Sequence, residues 1–177
     1  MTASPPPTRH VVLVGLMASG KTTIGYLLAR RLGRPFVDND ELLAMQTGSS
    51  AREIAAAEGA GGLHRREAEA LVGALADPRP SVVAAAASTI DEPAAVAALR
   101  MHDVVYLRAA PEVLATRLSR GHDDGHRPFV EHDATQVVQS QFAARDLRYR
   151  ELASITVDEG RKPPEAIAEQ ISRVLAE

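Results

Sequence analysis

Residues 15 to 22 read Gly15-Leu16-Met17-Ala18-Ser19-Gly20-Lys21-Thr22, a complete G-x-x-x-x-G-K-[ST] phosphate-binding loop. It follows an apolar run, Val11 to Val14, and precedes a helical pattern, Thr23 to Leu32. Strand, glycine loop and helix are the context this motif requires. Its glycines let backbone N–H groups turn inward around phosphate oxygens, and the helix N-terminus adds partial positive charge beneath them. Lys21 then reaches the outer phosphates, and the Thr22 hydroxyl is placed for Mg²⁺. Gly15, Ala18, Ser19, Gly20, Lys21, Thr22 and Thr23 are therefore the candidate nucleotide-phosphate residues.

A buried parallel sheet must surround such a loop, and the rest of the chain supplies one. Short β-rich runs at Arg9 to Val14, Pro35 to Asp38, Ser81 to Ala86, Asp103 to Leu107 and Ser154 to Val157 alternate with helical segments. Helices are expected at Lys21 to Leu32, Glu41 to Gln46, Leu63 to Ala76, Glu92 to Arg100, Pro111 to Ser119, Ala134 to Arg150 and Pro164 to Leu175. Ser50 and Glu53 form a capping box that opens a further short helix, closed at Gly59. Five strands alternating with helices imply an α/β fold, with a parallel sheet covered on both faces and ligands at the carboxyl ends of the strands. A length of 177 residues fits a single domain over 9–177, after a proline-containing tail at 1–8.

Composition narrows the class. Apolar residues make up 45% and charged residues 24%, ordinary values for a soluble globular chain. A net charge of −3 argues against a nucleic-acid-coating surface. No apolar run is long enough to span a bilayer, and the first ten residues lack a secretory pattern, so no membrane partner is expected and the cytoplasm is the expected location. The absence of cysteine excludes disulfides and thiolate zinc sites and is compatible with that compartment. A monomer is expected. No Asn-Lys-x-Asp guanine motif occurs, which disfavours a GTPase.

Two further stretches carry chemistry. Val37-Asp38-Asn39-Asp40 ends the second strand at the sheet edge where the phosphate loop opens. Asp38 is a candidate for Mg²⁺, directly or through water, and Asp40 for accepting a proton from an attacking hydroxyl. Capping of the next helix by Asp40 or Asn39 is a second reading, compatible with the first. The stretch from Arg120 to Asp133 lacks apolar periodicity and reads either as a connector or as a mobile lid. Its histidines, His122, His126 and His132, read as solvated loop residues rather than a zinc site.

The chain resembles the shikimate kinase family of small P-loop kinases. The likeness runs from Gly15 to Arg65, through the phosphate loop, Leu32-Gly33, Val37 to Asp40, Gln46 to Ile54 and His64-Arg65-Arg66. It resumes at Val104 to Leu107, Arg127-Pro128-Phe129, Arg145 to Tyr149, Val157-Asp158 and Arg161 to Pro164. The resemblance implies a three-layer α/β/α fold with strand order 2-3-1-4-5 and a lid near 120–133. It implies ATP and Mg²⁺ as cosubstrates, and phosphoryl transfer to a hydroxyl of a small carboxylated polyol. Shikimate is the leading acceptor; another polyol acid such as gluconate, or a catalytically weak nucleotide-binding regulatory module, is the alternative.

Carried over by position, Asp40 resembles the acceptor-hydroxyl base and Asp38 the Mg²⁺ partner. Arg65 and Arg145 resemble the pair that holds the substrate carboxylate, a role that suits the planar guanidinium fork. Arg127 resembles the lid arginine that meets the transferred phosphate, and Arg117 and Pro164 resemble adenine-pocket residues. Lys21, Asp40 and Arg127 are thus the implied catalytic residues. Two departures fall on the acceptor side. The family's Gly-Gly-Gly run corresponds to Ala86, Ala87 and Ser88, which adds methyl groups and would make any positive φ costly. The Phe before the substrate arginine is His64, and the Glu three residues after it is Ala68, so Arg65 lacks the expected orienting acid.

Overall fold

The computed structural model describes residues 9–120, 134–158, 160 and 162–176. The N-terminal tail, the proposed lid and Arg127 lie outside the described residues.

The sheet is built around the most hydrophobic run. Strand β1 (Val11–Val14) is buried along its whole length. Its side chains alternate: Val12 and Val14 enter one apolar core, Val11 and Leu13 the other. That two-sided burial is why it reads as a continuous apolar run rather than an alternating one. β3 (Val82–Ala84) and β4 (Asp103–Arg108) flank it in parallel, with Val12 opposite Val83 on one side and Val104 on the other. β2 (Phe36–Asp38) and β5 (Ile155–Asp158) form the edges, giving the order β2-β3-β1-β4-β5 expected from the resemblance.

Helices cover both faces. α1 (Lys21–Leu32) packs on α7 (Pro164–Val174), and Ile24, Leu28, Ile167 and Ile171 fill one core with Leu13 and Val105. Each such side chain contributes roughly 1.5–3 kcal/mol on burial. On the opposite face lie α3 (Ala51–Leu75), α4 (Pro93–Leu99), α5 (Pro111–Arg120) and α6 (Ala134–Leu152). There Leu71, Leu99, Leu114 and the stacked Tyr106 and Tyr149 rings, 4.9 Å apart, complete the core. α2 (Asn39–Thr47) packs on α3 over a smaller cluster that includes Leu43, Ile54 and Leu63.

Two local outcomes differ from the sequence expectation. The capping box forms: Ser50 Oγ accepts from Glu53 N, and Glu53 accepts from Ser50 N. Beyond it the first helical segment closes at Gly59 as expected, but the next one follows directly after the kink rather than at Leu63, and the two together are α3. Gly59 takes the kink at φ 75, ψ 174, a conformation that a side chain would strain. The bidentate Arg66–Glu58 pair, at 2.8 Å and 3.1 Å, spans it. The second difference follows β3, which ends at Ala84. Ala87–Asp91 is a 3₁₀ turn, held where Thr89 Oγ1 donates to Ala86 O and Tyr149 Oη donates to Ala87 O, each at 2.7 Å. An alanine run carries no signal for that turn, because its partners come from the distant α6.

Candidate active site

One cavity of about 980 Å³ opens at the carboxyl end of β1, β2 and β3, and the loop after β1 forms its phosphate end. Gly15 lies behind that loop. At φ 148 it approaches β4 so closely that a Cβ would stand 2.7 Å from Leu107 O and 2.8 Å from Ser19 Oγ. Gly20, at φ 76, opens α1. Lys21 Nζ arches back over the loop and donates to Gly15 O and Leu16 O, both at 2.9 Å, which holds the ammonium at the loop's mouth. Thr22 Oγ1 donates to Asp38 Oδ2 at 2.7 Å. Ser19, Gly20 and Thr23 line the same end.

Ala18 carries strain. It sits at φ 61, the one positive φ outside glycine among the described residues. An L-residue there costs roughly 1–2 kcal/mol, partly offset in any comparison with glycine by the latter's backbone entropy. Ala18→Gly is therefore expected to stabilise the protein by about 0.5–1 kcal/mol in urea unfolding. A neutral or destabilising result would refute strain at this position.

Arg117, Lys162, Pro164 and Ile167 also line the cavity. Arg117 Nη1 donates to Ala18 O at 3.0 Å, tying α5 to the phosphate loop. Pro164 occupies the first turn of α7, where its missing N–H costs nothing.

Residues of α2, α3, α6 and the turn after β3 complete the cavity wall. Asp38, not Asp40 or Asn39, caps α2: its Oδ1 accepts from Asp40 N at 3.0 Å. One carboxylate thus binds the phosphate-loop threonine and starts α2, and the Asp40 side chain lines the cavity from the first turn. Arg145 reaches the cavity from α6. Its Nε and Nη2 bind Asp91 Oδ2 at 3.0 Å and 2.6 Å, and Arg148 Nη1 binds Asp91 Oδ1 at 2.5 Å.

Arg65 is not brought to this cavity. It is exposed, and a Cβ on Gly61 would lie 3.8 Å from its Nη1. Leu63, His64 and Glu67 are the α3 residues that line the cavity. A helix turns about 100° per residue, so neighbours in sequence face different ways, whereas residues three or four apart share a face. Leu63, His64 and Glu67 therefore share the cavity-facing side of α3, and Arg65 does not. The spacing of three between His64 and Glu67 was the available signal. Gln141 and Lys162 also line the cavity, Gln141 without a sequence signal of its own and Lys162 within the Arg161 to Pro164 segment.

Glu67 is buried, and the Ser88 hydroxyl donates to its Oε2. Its backbone carbonyl accepts from Asn39 Nδ2 at 3.1 Å, which locks α3 to the start of α2. Burial pushes the Glu67 carboxyl up to about 7, with the Asp40 charge adding to the rise, against the Ser88 hydrogen bond, Arg145 and Lys21. The folded state thus holds the Glu67 proton more tightly than an open chain does. That stabilisation is complete below the ordinary value of 4.5 and is lost as pH rises through about 7. Glu67→Gln is expected to flatten the fall in stability between pH 5 and pH 8, by at most about 3 kcal/mol. Parallel pH–stability curves for parent and variant would refute the assignment. His64 shifts the other way: burial, then the Arg145 charge, lower its affinity for a proton, against weaker opposing effects of Asp91 and Glu92.

Ala86 and Ala87 also line the cavity. The expected backbone penalty does not arise, because Ala86 has φ −62, ψ 146. Their effect is confined to their methyl groups.

Phosphate loop, parallel sheet and the carboxylates across from the loop define a P-loop phosphotransferase. A family model described as shikimate kinase matches residues 17–176. The shikimate kinase of Symbiobacterium thermophilum is 36% identical over 169 residues, covering 95% of this chain and 97% of that protein. Shikimate kinase 2 of Yersinia enterocolitica is 36% identical over 172 residues, covering 96% and 97%. Among solved structures, the shikimate kinase from Acinetobacter baumannii in complex with shikimate superposes with a TM-score of 0.87 at 29% identity, covering 95% of this chain and 93% of that one. The chain belongs to the shikimate kinase family, ATP-using phosphotransferases with an alcohol acceptor.

Proposed function

We propose that this protein transfers the γ-phosphoryl group of ATP to a hydroxyl of shikimate. The observation that carries this reading is one cavity lined together by Lys21, Thr22, Asp38, Asp40 and Arg145. The acceptor hydroxyl gives its proton to the Asp40 carboxylate as its oxygen attacks the γ-phosphorus. The bond from that phosphorus to the β–γ bridging oxygen breaks, and ADP leaves with the electron pair. Lys21 and the loop N–H groups bear the charge on the transferring group. Arg145, oriented by Asp91, meets the acceptor carboxylate.

The donor set suits Mg²⁺. A hydroxyl and a carboxylate oxygen 2.7 Å apart are hard ligands of the kind Mg²⁺ takes alongside waters and phosphate oxygens. Thr22 and Asp38 would hold the ion, which would neutralise phosphate charge. Among the described residues no helix is long and apolar enough to cross a membrane, and no cluster of three His, Cys, Asp or Glu side chains could hold another metal.

The test is shikimate-dependent ADP release, with the phosphorylated product identified. A kcat/KM of roughly 10⁴ M⁻¹s⁻¹ or more is expected of a working small-molecule kinase. Tight ATP binding with no transfer to shikimate, gluconate or any related polyol would favour a regulatory nucleotide-binding module instead.

A further inference from the structure

We infer that Asp91 and Arg148 are positioning residues for the acceptor. Arg148 holds the Asp91 carboxylate, and Asp91 holds the Arg145 guanidinium by one edge, so that its other edge is set for an acceptor carboxylate before the acceptor arrives. This rests on the reading above, in which Arg145 meets that carboxylate, and deepens it by naming the side chains that act through Arg145.

Hydrogen-bond geometry is the first observation. Arg145 Nε and Nη2 both donate to Asp91 Oδ2, at 3.0 Å and 2.6 Å. A guanidinium is a rigid planar fork, and bonds from Nε and Nη2 to one oxygen use one edge of it. The adjoining edge, Nη1 with the second N–H of Nη2, is the pair that can meet a carboxylate in two parallel bonds. Asp91 Oδ1 is held in turn by Arg148 Nη1 at 2.5 Å. Each carboxylate oxygen thus serves a different arginine. The Arg145 side chain lines the cavity and is 12% exposed, whereas that of Arg148, outside the cavity wall, is 45% exposed. The inner arginine can touch the acceptor; the outer one acts through Asp91.

The scaffold behind these bonds is the second. Arg145, Arg148 and Tyr149 stand at i, i+3 and i+4 on α6 and so share a face, and all three reach the 3₁₀ turn Ala87–Asp91. Arg148 Nη2 donates to Ile90 O, and Tyr149 Oη donates to Ala87 O at 2.7 Å. The helix therefore grips the turn at its start and at its end. The rotamer freedom of a long arginine is then lost on folding rather than on binding, which is how a preformed clamp gains affinity. The same turn carries Ser88, whose hydroxyl donates to Glu67 on the cavity wall. One unit of helix and turn thus sets both the guanidinium and part of the wall beside it.

The experiment measures phosphorylation of shikimate by the intact chain, with kcat and KM separated and the product identified. Asp91→Asn is nearly isosteric, but an amide offers one acceptor oxygen in place of two and cannot serve both arginines. It is expected to raise the KM for shikimate about tenfold, the low end of what a charge-assisted hydrogen bond is worth, while kcat and the KM for ATP stay near the parent values. Arg148→Met is expected to raise the same KM about threefold, as suits a half-exposed ion pair. In an Arg145→Met background, Asp91→Asn is expected to change kcat/KM for shikimate by less than about twofold, because both substitutions then remove one interaction. Circular dichroism checks that each variant is folded, and Arg148→Met carries the test where a change at Asp91 unfolds the chain. An unchanged KM for shikimate in folded Asp91→Asn or Arg148→Met, a loss confined to kcat, or an undiminished effect in the Arg145→Met background overturns the inference while leaving kinase activity standing. A parent that binds ATP and transfers nothing to shikimate overturns the transfer reading and this inference with it.

Discussion

Replacing Asp40 by asparagine is expected to lower kcat about 10²–10⁴-fold, the range that a positioned general base contributes. The change is nearly isosteric, and the α2 cap survives, because Asp38 accepts the hydrogen bond from the backbone N–H of residue 40. The loss should therefore appear in kcat, with the KM for ATP little altered and thermal stability near that of the parent. A variant that turns over at the parent rate would show that the acceptor hydroxyl needs no help from this carboxylate. A variant that loses ATP binding instead would assign Asp40 to the phosphate end.

Lys21→Ala is expected to cost roughly 2–4 kcal/mol of transition-state stabilisation, about 30- to 1000-fold in kcat/KM. The ammonium is held ready by two backbone carbonyls of its own loop, Gly15 O and Leu16 O. Transferring those contacts to phosphate oxygens requires little reorganisation, which is why the effect should be large. The lysine also offsets the negative phosphates near Asp38 and Asp40, so the affinity for ATP should fall together with kcat. An unchanged kcat/KM would overturn the assignment of this loop to the transferring phosphates.

The fold was largely legible in the chain because its signals are local. The apolar Val11 to Val14 run can only be a strand buried on both faces, and Gly15 to Thr22 can only follow it and open a helix. Gly33 and Gly48 end α1 and α2 as read, and the Ser50–Glu53 box opens α3. Lys21, Thr22, Asp38 and Asp40 come together because each lies at the carboxyl end of a strand, where a parallel sheet gathers its ligands. The break at Gly59 was legible, but the start of the next segment directly after it, before Leu63, and the 3₁₀ turn at Ala87–Asp91 were not. They depend on Arg66 reaching Glu58 across the kink and on Tyr149 of α6 reaching Ala87 O.

The chain by itself therefore determined the sheet, the phosphate loop and the residue types that face it. Only the tertiary structure decided which α3 residues line the cavity. His64, Arg65 and Arg66 are adjacent in sequence, yet the helix turn sends His64 inward, leaves Arg65 exposed and pairs Arg66 with Glu58. It also decided that Asp91 takes hold of Arg145, and that Ser88 and Glu67 share a buried hydrogen bond across two elements. Such choices depend on helix phase and on contacts between segments far apart in the chain, and neither is written in local propensity.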